Sequence, residues 1–126
     1  MNSSYPVVVV DDEPDVLDLV HEVLREEGIP VIAVGHPDRA VNVALDVVPQ
    51  MFLVDLMLPG CNGIELARRL RDMGFEQTPI VATSASRGML AGAEASGLFD
   101  ETLPKPFDLS TLLDCVDRFL SARRSA

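Results

Sequence analysis

Four short, unbroken apolar runs set the strongest limit on what this chain can fold into. They are Val7–Val10, "VIAV" at Val31–Val34, "MFLVD" at Met51–Asp55 and "IVATS" at Ile80–Ser84. None alternates between apolar and polar residues, as a strand with one wet face would, so each reads as a strand covered on both faces. A weaker candidate, "FDETL", spans Phe99–Leu103. Helical spacing fills the gaps. Val16, Val20, Val23 and Leu24 follow Pro14 and stop near Gly28; Ala40, Val43, Ala44 and Val47 follow Pro37. Ile64, Ala67 and Leu70 form a third stripe, with Asn62 and Glu65 at N-cap and N3 spacing. Leu109, Leu112, Leu113, Val116 and Leu120 form a last stripe behind Asp108. The fourth helix, within Arg87–Ser96, contains Gly88 and Gly92. Each interior glycine costs about 1 kcal/mol relative to alanine, so a short or mobile element is expected there. Strand and helix alternate five times, which predicts an α/β, doubly wound parallel sheet with helices on both faces.

The 126 residues suit one domain, with a core of about residues 6–120 and residues 121–126 as a tail or the start of a linker. A hydrophobic fraction of 48% is enough for a full core. Acidic side chains outnumber basic ones 20 to 10, and a net charge of -10 repels phosphate backbones, so direct nucleic-acid binding is not expected. No apolar run reaches membrane-spanning length, and "MNSSYP" lacks the basic and apolar regions of a signal peptide. A cytoplasmic location without membrane contact is expected. Cys61 and Cys115 have neither metal nor redox spacing and read as packed or incidental thiols in a reducing compartment. His21 and His36 have no ligand spacing and read as surface residues.

The strand ends carry the chemistry. The first runs into Asp11, Asp12 and Glu13, the third ends at Asp55, the fourth at Ser84, and the fifth leads to Lys105. In an open parallel sheet, ligands bind beyond the C-terminal strand ends. With the first and third strands adjacent, three carboxylates converge with one hydroxyl and one ammonium. Two carboxylates about 4 Å apart repel by about 4 kcal/mol at an effective dielectric of about 20. Three such pairs reach on the order of 10 kcal/mol, comparable to burying the four valines at roughly 1.5–3 kcal/mol each. Such a site takes up protons, spreads apart or binds a cation. An all-oxygen set suits Mg²⁺, or Mn²⁺, with a phosphate partner. Asp55 could then attack a phosphoryl donor, while Ser84 and Lys105 stabilise charge on the transferred group.

The segments "VVDDEPDVL", "VDLMLPGCNGIEL", "TPIVATSA" and "LPKPF", in this order, resemble the receiver domain of bacterial two-component response regulators. The resemblance spans Val7 to about Leu120. It implies a flavodoxin-like (βα)5 domain with strand order 2-1-3-4-5. It implies that Asp55 is the phosphoacceptor, that Asp11 and Asp12 bind metal, and that the Met57 backbone carbonyl is a further ligand. Ser84 matches the hydroxyl that turns toward the phosphate, Lys105 matches the family's lysine, and the Lys105–Pro106 bond is expected to be cis. The implied activity is Mg-dependent transfer from a sensor histidine kinase or phosphotransfer protein onto Asp55, followed by slow hydrolysis rather than enzymatic turnover. Output then passes to a partner or output domain through the face of the fourth helix, fifth strand and fifth helix.

Three positions depart from the family's pattern. Thr102 stands where many receivers have an aromatic residue that reports phosphorylation. Met57 and Ser86 stand where side chains tune dephosphorylation, and neither offers a carboxylate or amide to orient water, so a long-lived phosphoryl group is expected. Thr111 and Cys115 stand where a charged pair often supports one kind of dimer, which weakens that dimer while leaving a homodimer open. The alternative reading is a phosphorylation-independent interaction module. A phosphatase with an aspartyl nucleophile commonly needs a second acid where Met57 stands, and a flavin phosphate disfavours the acidic first loop.

Overall fold

Val7–Val10 form β1, and all four valines are buried against helices on both sides. The computed structural model describes residues 5–125, with side chains as far as Leu120. Residues 1–4, part of the segment read for a signal peptide, lie outside that range. The elements in order are β1, α1 (Pro14–Glu26), β2 (Val31–Val34), α2 (Pro37–Asp46), β3 (Met51–Asp55), β4 (Met57–Leu58) and β5 (Cys61–Asn62). They continue with α3 (Gly63–Asp72), β6 (Ile80–Ser84), α4 (Arg87–Ser96), β7 (Glu101–Pro104) and α5 (Leu109–Ser125). The main sheet has the order β2-β1-β3-β6-β7, all parallel. Counting only its own strands, this is the expected order 2-1-3-4-5. No described helix is long and apolar enough to cross a membrane.

Alternate residues of the central strands serve opposite layers. Val7, Val9, Met51 and Leu53 pack with Val20 and Leu24 of α1 and with Leu112, Cys115 and Val116 of α5. Val8, Val10, Phe52 and Val54 pack with Ala40 and Ala44 of α2 and with Leu66 and Leu70 of α3. Both faces therefore need apolar residues at every position, which explains the unbroken runs. β2 departs from this: Ala33 is exposed and Val31 and Ile32 are half-buried, because an edge strand has less cover. Burial together with the negative charge of Glu101 pushes the Cys115 thiol up to about 12. That residue is core, not surface.

The local signals act as their chemistry demands. Gly28, at φ 75°, lets its own N–H reach Arg25 O and the Ile29 N–H reach Leu24 O, closing α1. Asn62 Oδ1 caps the Glu65 N–H at 2.9 Å, and Asp108 Oδ1 caps Thr111 at 2.8 Å. His36 is exposed and caps α2 through Nδ1 to the Asp38 N–H.

Several expectations need correction. The fifth strand begins at Glu101 rather than Phe99 and ends at Pro104. Phe99 packs between two core clusters, and Asp100 gives its N–H to the Ile80 carbonyl and its carboxylate to Arg71 and the Ile80 N–H. The two-stranded ribbon β4–β5 has no counterpart in the sequence reading; it turns at Pro59 and Gly60, whose φ of 71° fits a proline-glycine turn. Helix α4 is not short: its 10 residues equal α2 and α3. Ser86 caps it, and Leu90 and Ala93 bury its inner face. The backbone of the expected tail is helical, since α5 continues to Ser125.

Arg71 ties together the pole of the sheet opposite the strand ends named above. Its guanidinium donates to the carbonyls of Phe75 (2.8 Å), Thr78 (2.7 Å) and Leu98 (2.8 Å) and pairs with Asp100 at 3.1 Å. Arg71→Ala is expected to lower stability by about 2–4 kcal/mol in urea unfolding, since several carbonyls lose their donor. Arg71→Lys should recover little, because an ammonium cannot span both loops. Gly92 is different. A Cβ there would lie 3.9 Å from Ile64 Cδ1, an ordinary contact. Gly92→Ala should raise stability by about 1 kcal/mol in the same assay.

Candidate functional site

Register brings the polar strand ends together. Val10 pairs with Val54, Asp55 with Thr83, and Ser84 with Pro104. Asp11 and Lys105 follow directly on β1 and β7, so both stand level with Asp55. Backbone bonds fix the rim: Asp11 N–H to Val34 O, Leu56 N–H to Thr83 O and Lys105 N–H to Ser84 O. Gly63 closes the β3–α3 connection with its N–H on Leu56 O. A Cβ on Gly63 would fall 2.5 Å from the Asp55 carbonyl oxygen and 2.9 Å from Leu56 Cα. Only glycine lets α3 start this close to the strand that carries Asp55.

One ammonium answers four carboxylates. Lys105 Nζ lies 2.8 Å from Asp11 Oδ2, 2.7 Å from Glu13 Oε1 and 3.1 Å from Asp55 Oδ2. Asp12 completes the cluster: one oxygen from each of Asp11, Asp12 and Asp55 lies within 4.8 Å of the others. Asp11 and Asp55 are buried, while Asp12 is exposed. Burial holds the Asp11 carboxyl above the usual carboxylate range, and the charge on Asp55 adds to this against the opposing contact with Lys105. Burial also opposes the charge on Lys105, but hydrogen bonds to Asp11 and Glu13 outweigh it and hold the lysine above its usual range. The ammonium therefore stays charged across the physiological range. The cluster borders a cavity of about 250 Å³ lined by Asp12, Glu13, Asp55, Met57, Ala85 and Lys105. Three carboxylates converging at one wall form a hard, all-oxygen donor set, which fits Mg²⁺ or Mn²⁺.

The structure places Asp11, Asp12, Asp55 and Lys105 in one cluster. Met57 lines the cavity, its N–H donating to Asp55 Oδ1 at 3.0 Å. Ser84 is at the strand end and buried, but its Oγ faces the next loop, accepting the Ser86 N–H at 3.0 Å. Its hydroxyl proton is not used in that bond. The Lys105–Pro106 bond is cis. Glu13 is the residue that the sequence reading left without a role. The signal was a third consecutive carboxylate, but nothing in spacing alone says that it bends back to Lys105.

A family model described as the response regulator receiver domain matches residues 7–117. The chain belongs to this family. The receiver domain is 34% identical over 102 residues to the DNA-binding response regulator MtrA of Mycolicibacterium smegmatis, covering 80% of this chain and 44% of that protein. It is 31% identical over 109 residues to the probable transcriptional regulatory protein TcrX of Mycobacterium tuberculosis, covering 85% of this chain and 46% of that protein. The receiver domain thus spans less than half the length of these relatives. Among solved structures, the response regulator TrrA of Thermotoga maritima, in complex with Mg²⁺-BeF, superposes with a TM-score of 0.82 at 25% identity. That match covers 91% of this chain and 98% of the other.

Gly63→Ala tests how the receiver domain holds its rim. The added methyl must push against backbone at Asp55 and Leu56, so a loss of about 1–3 kcal/mol is expected in denaturant unfolding. Metal affinity, read by titration of the folded variant, should fall with it, because the displaced strand end carries Asp55.

Proposed function

We propose that this receiver domain accepts a phosphoryl group on Asp55 from a phosphohistidine of a sensor histidine kinase or a phosphotransfer protein. The observation that carries this reading is the Lys105 ammonium in contact with Asp11, Glu13 and Asp55 at the edge of an open cavity. An Asp55 oxygen attacks phosphorus, an O–P bond forms, and the donor's P–N bond breaks with its electron pair leaving on the imidazole. Met57 N–H holds Oδ1 and Lys105 holds Oδ2, so the carboxylate is oriented before the donor arrives. Lys105 stabilises charge on the transferred oxygens. Asp11, Asp12, Asp55 and the Met57 carbonyl would hold Mg²⁺ or Mn²⁺, which when bound supplies Lewis-acid charge to the phosphoryl oxygens. Small phosphodonors would react at the same cavity. The chemistry is self-phosphorylation and slow loss of the group, not turnover.

The readout follows from what the strand-end side chains touch. Ser84 Oγ holds Ser86 N–H, and Ser86 Oγ caps Met89 N–H at 3.2 Å, so a phosphoryl oxygen that draws the Ser84 hydroxyl pulls on the first turn of α4. Thr102, in the aromatic's place, donates to Glu94 Oε2 of α4 at 3.2 Å. Signalling then runs through backbone movement of α4 to the α4–β7–α5 face, where a partner or output domain docks. Beside the cavity, Val16, Leu19 and Phe107 line an apolar groove of about 400 Å³, suited to the helix that presents the phosphohistidine. Met57 has no group to orient water, and the Ser86 hydroxyl is committed to its cap, so the phosphoryl group should be long-lived. The set of carboxylates and ammonium favours this reading over a phosphorylation-independent module.

Intact mass after incubation with Mg²⁺ and acetyl phosphate tests the proposal. One added phosphoryl group is expected, absent in Asp55→Asn and absent when EDTA removes the metal. After removal of donor the group should outlast minutes. A wild-type protein that gains no mass while still binding Mg²⁺ would sink the reading.

A further inference from the structure

Glu13 occupies the N-cap of α1 and caps nothing. Its backbone is extended, at φ -92° and ψ 112°, and its side chain makes no bond to the helix N–H groups. Short residues serve as N-caps because their oxygen folds back onto the first turn. The Glu13 side chain reaches away instead, to Lys105 Nζ at 2.7 Å, the shortest of that lysine's three contacts. The Glu13 N–H donates to Asp11 Oδ1 at 2.8 Å, so Asp11, itself bound to the lysine, also fixes the backbone from which Glu13 reaches.

Donor counting gives this contact a consequence. An ammonium has three N–H donors and no acceptor. Asp11, Glu13 and Asp55 fill all of them. A phosphoryl group on Asp55 needs one of these donors. Asp55 is the partner that yields, because the new O–P bond removes its carboxylate charge. Asp11 carries metal-ligand duty in the same reading. Glu13 is left as the one carboxylate of the three with neither task. We propose that Glu13 is a positioning residue: it holds the Lys105 ammonium at the cavity while the lysine exchanges Asp55 for a phosphoryl oxygen. This rests on the phosphoacceptor reading of Asp55.

The Glu13 side chain is 59% exposed, so its effect is modest. The test compares the rate of phosphorylation by acetyl phosphate, followed by intact mass at saturating Mg²⁺, in wild type, Glu13→Ala and Glu13→Gln. Glutamine keeps the acceptor oxygen and the side-chain length but not the charge. Glu13→Ala should be roughly two- to fivefold slower, the size expected for one solvent-exposed partner. Glu13→Gln should be at or above the wild-type rate, since it keeps the acceptor and no longer repels an anionic donor. An unchanged rate in Glu13→Ala overturns the proposal. So does an equal change in both variants, which would make Glu13 a charge or a structural residue only. A wild type that takes up no phosphoryl group fails at the earlier step, the assignment of Asp55, and removes the proposal with it.

Discussion

Four carboxylates face a single ammonium where the strands of a strongly apolar sheet end, and that imbalance governs the rest of the molecule. The carboxylates cannot spread apart. Asp11 and Asp55 continue β1 and β3, whose side chains are buried on both faces and paired in register. Moving either strand would open both core layers at once. Lys105 neutralises part of the charge, and the buried Asp11 carboxyl is still pushed above its usual range. The site therefore has a standing affinity for positive charge, and a divalent cation is the species that satisfies it without disturbing the core. Under the proposed function, a phosphoryl group would add negative charge that a cation and the lysine together would offset. Attraction for metal and the proposed acceptance of phosphate would then both follow from one packed arrangement.

Much of this was legible in the sequence because it depends on residues near each other in the chain. Unbroken apolar runs mark strands covered on both faces, and the residue after each run marks what stands at the rim. Asp11, Asp55 and Lys105 could be placed together for that reason. What escaped depends on where side chains turn. Ser84 stands at the expected strand end, and the bond its Oγ accepts from the Ser86 N–H is not readable from spacing. Glu13, the third consecutive carboxylate, had no role in the sequence reading and is a partner of Lys105. Arg71 binds two loops through its guanidinium, which no local pattern announces. β7 starts two residues later than expected, and the contacts of Asp100 there, with Arg71 and with Ile80, are long-range ones that no local pattern records.

The same contacts decide which part of the domain can respond. At one pole, Arg71 fixes the loop after α3 and the Leu98 carbonyl just beyond α4. At the other, α4 begins at a chain of single hydrogen bonds, Ser84 to Ser86 to Met89. The C-terminal end of α4 is held by a buried Ala93 and by Arg71 on the Leu98 carbonyl, whereas its first turn is capped by the Ser86 hydroxyl, and the Ser86 N–H rests on Ser84 Oγ at the strand end. Gly88 and Gly92 weaken the helix between these ends, and neither sits in space that requires glycine. Under the proposed function, a change at Ser84 would reach the start of α4 before its end. Thr102 is bonded to Glu94 near that anchored end.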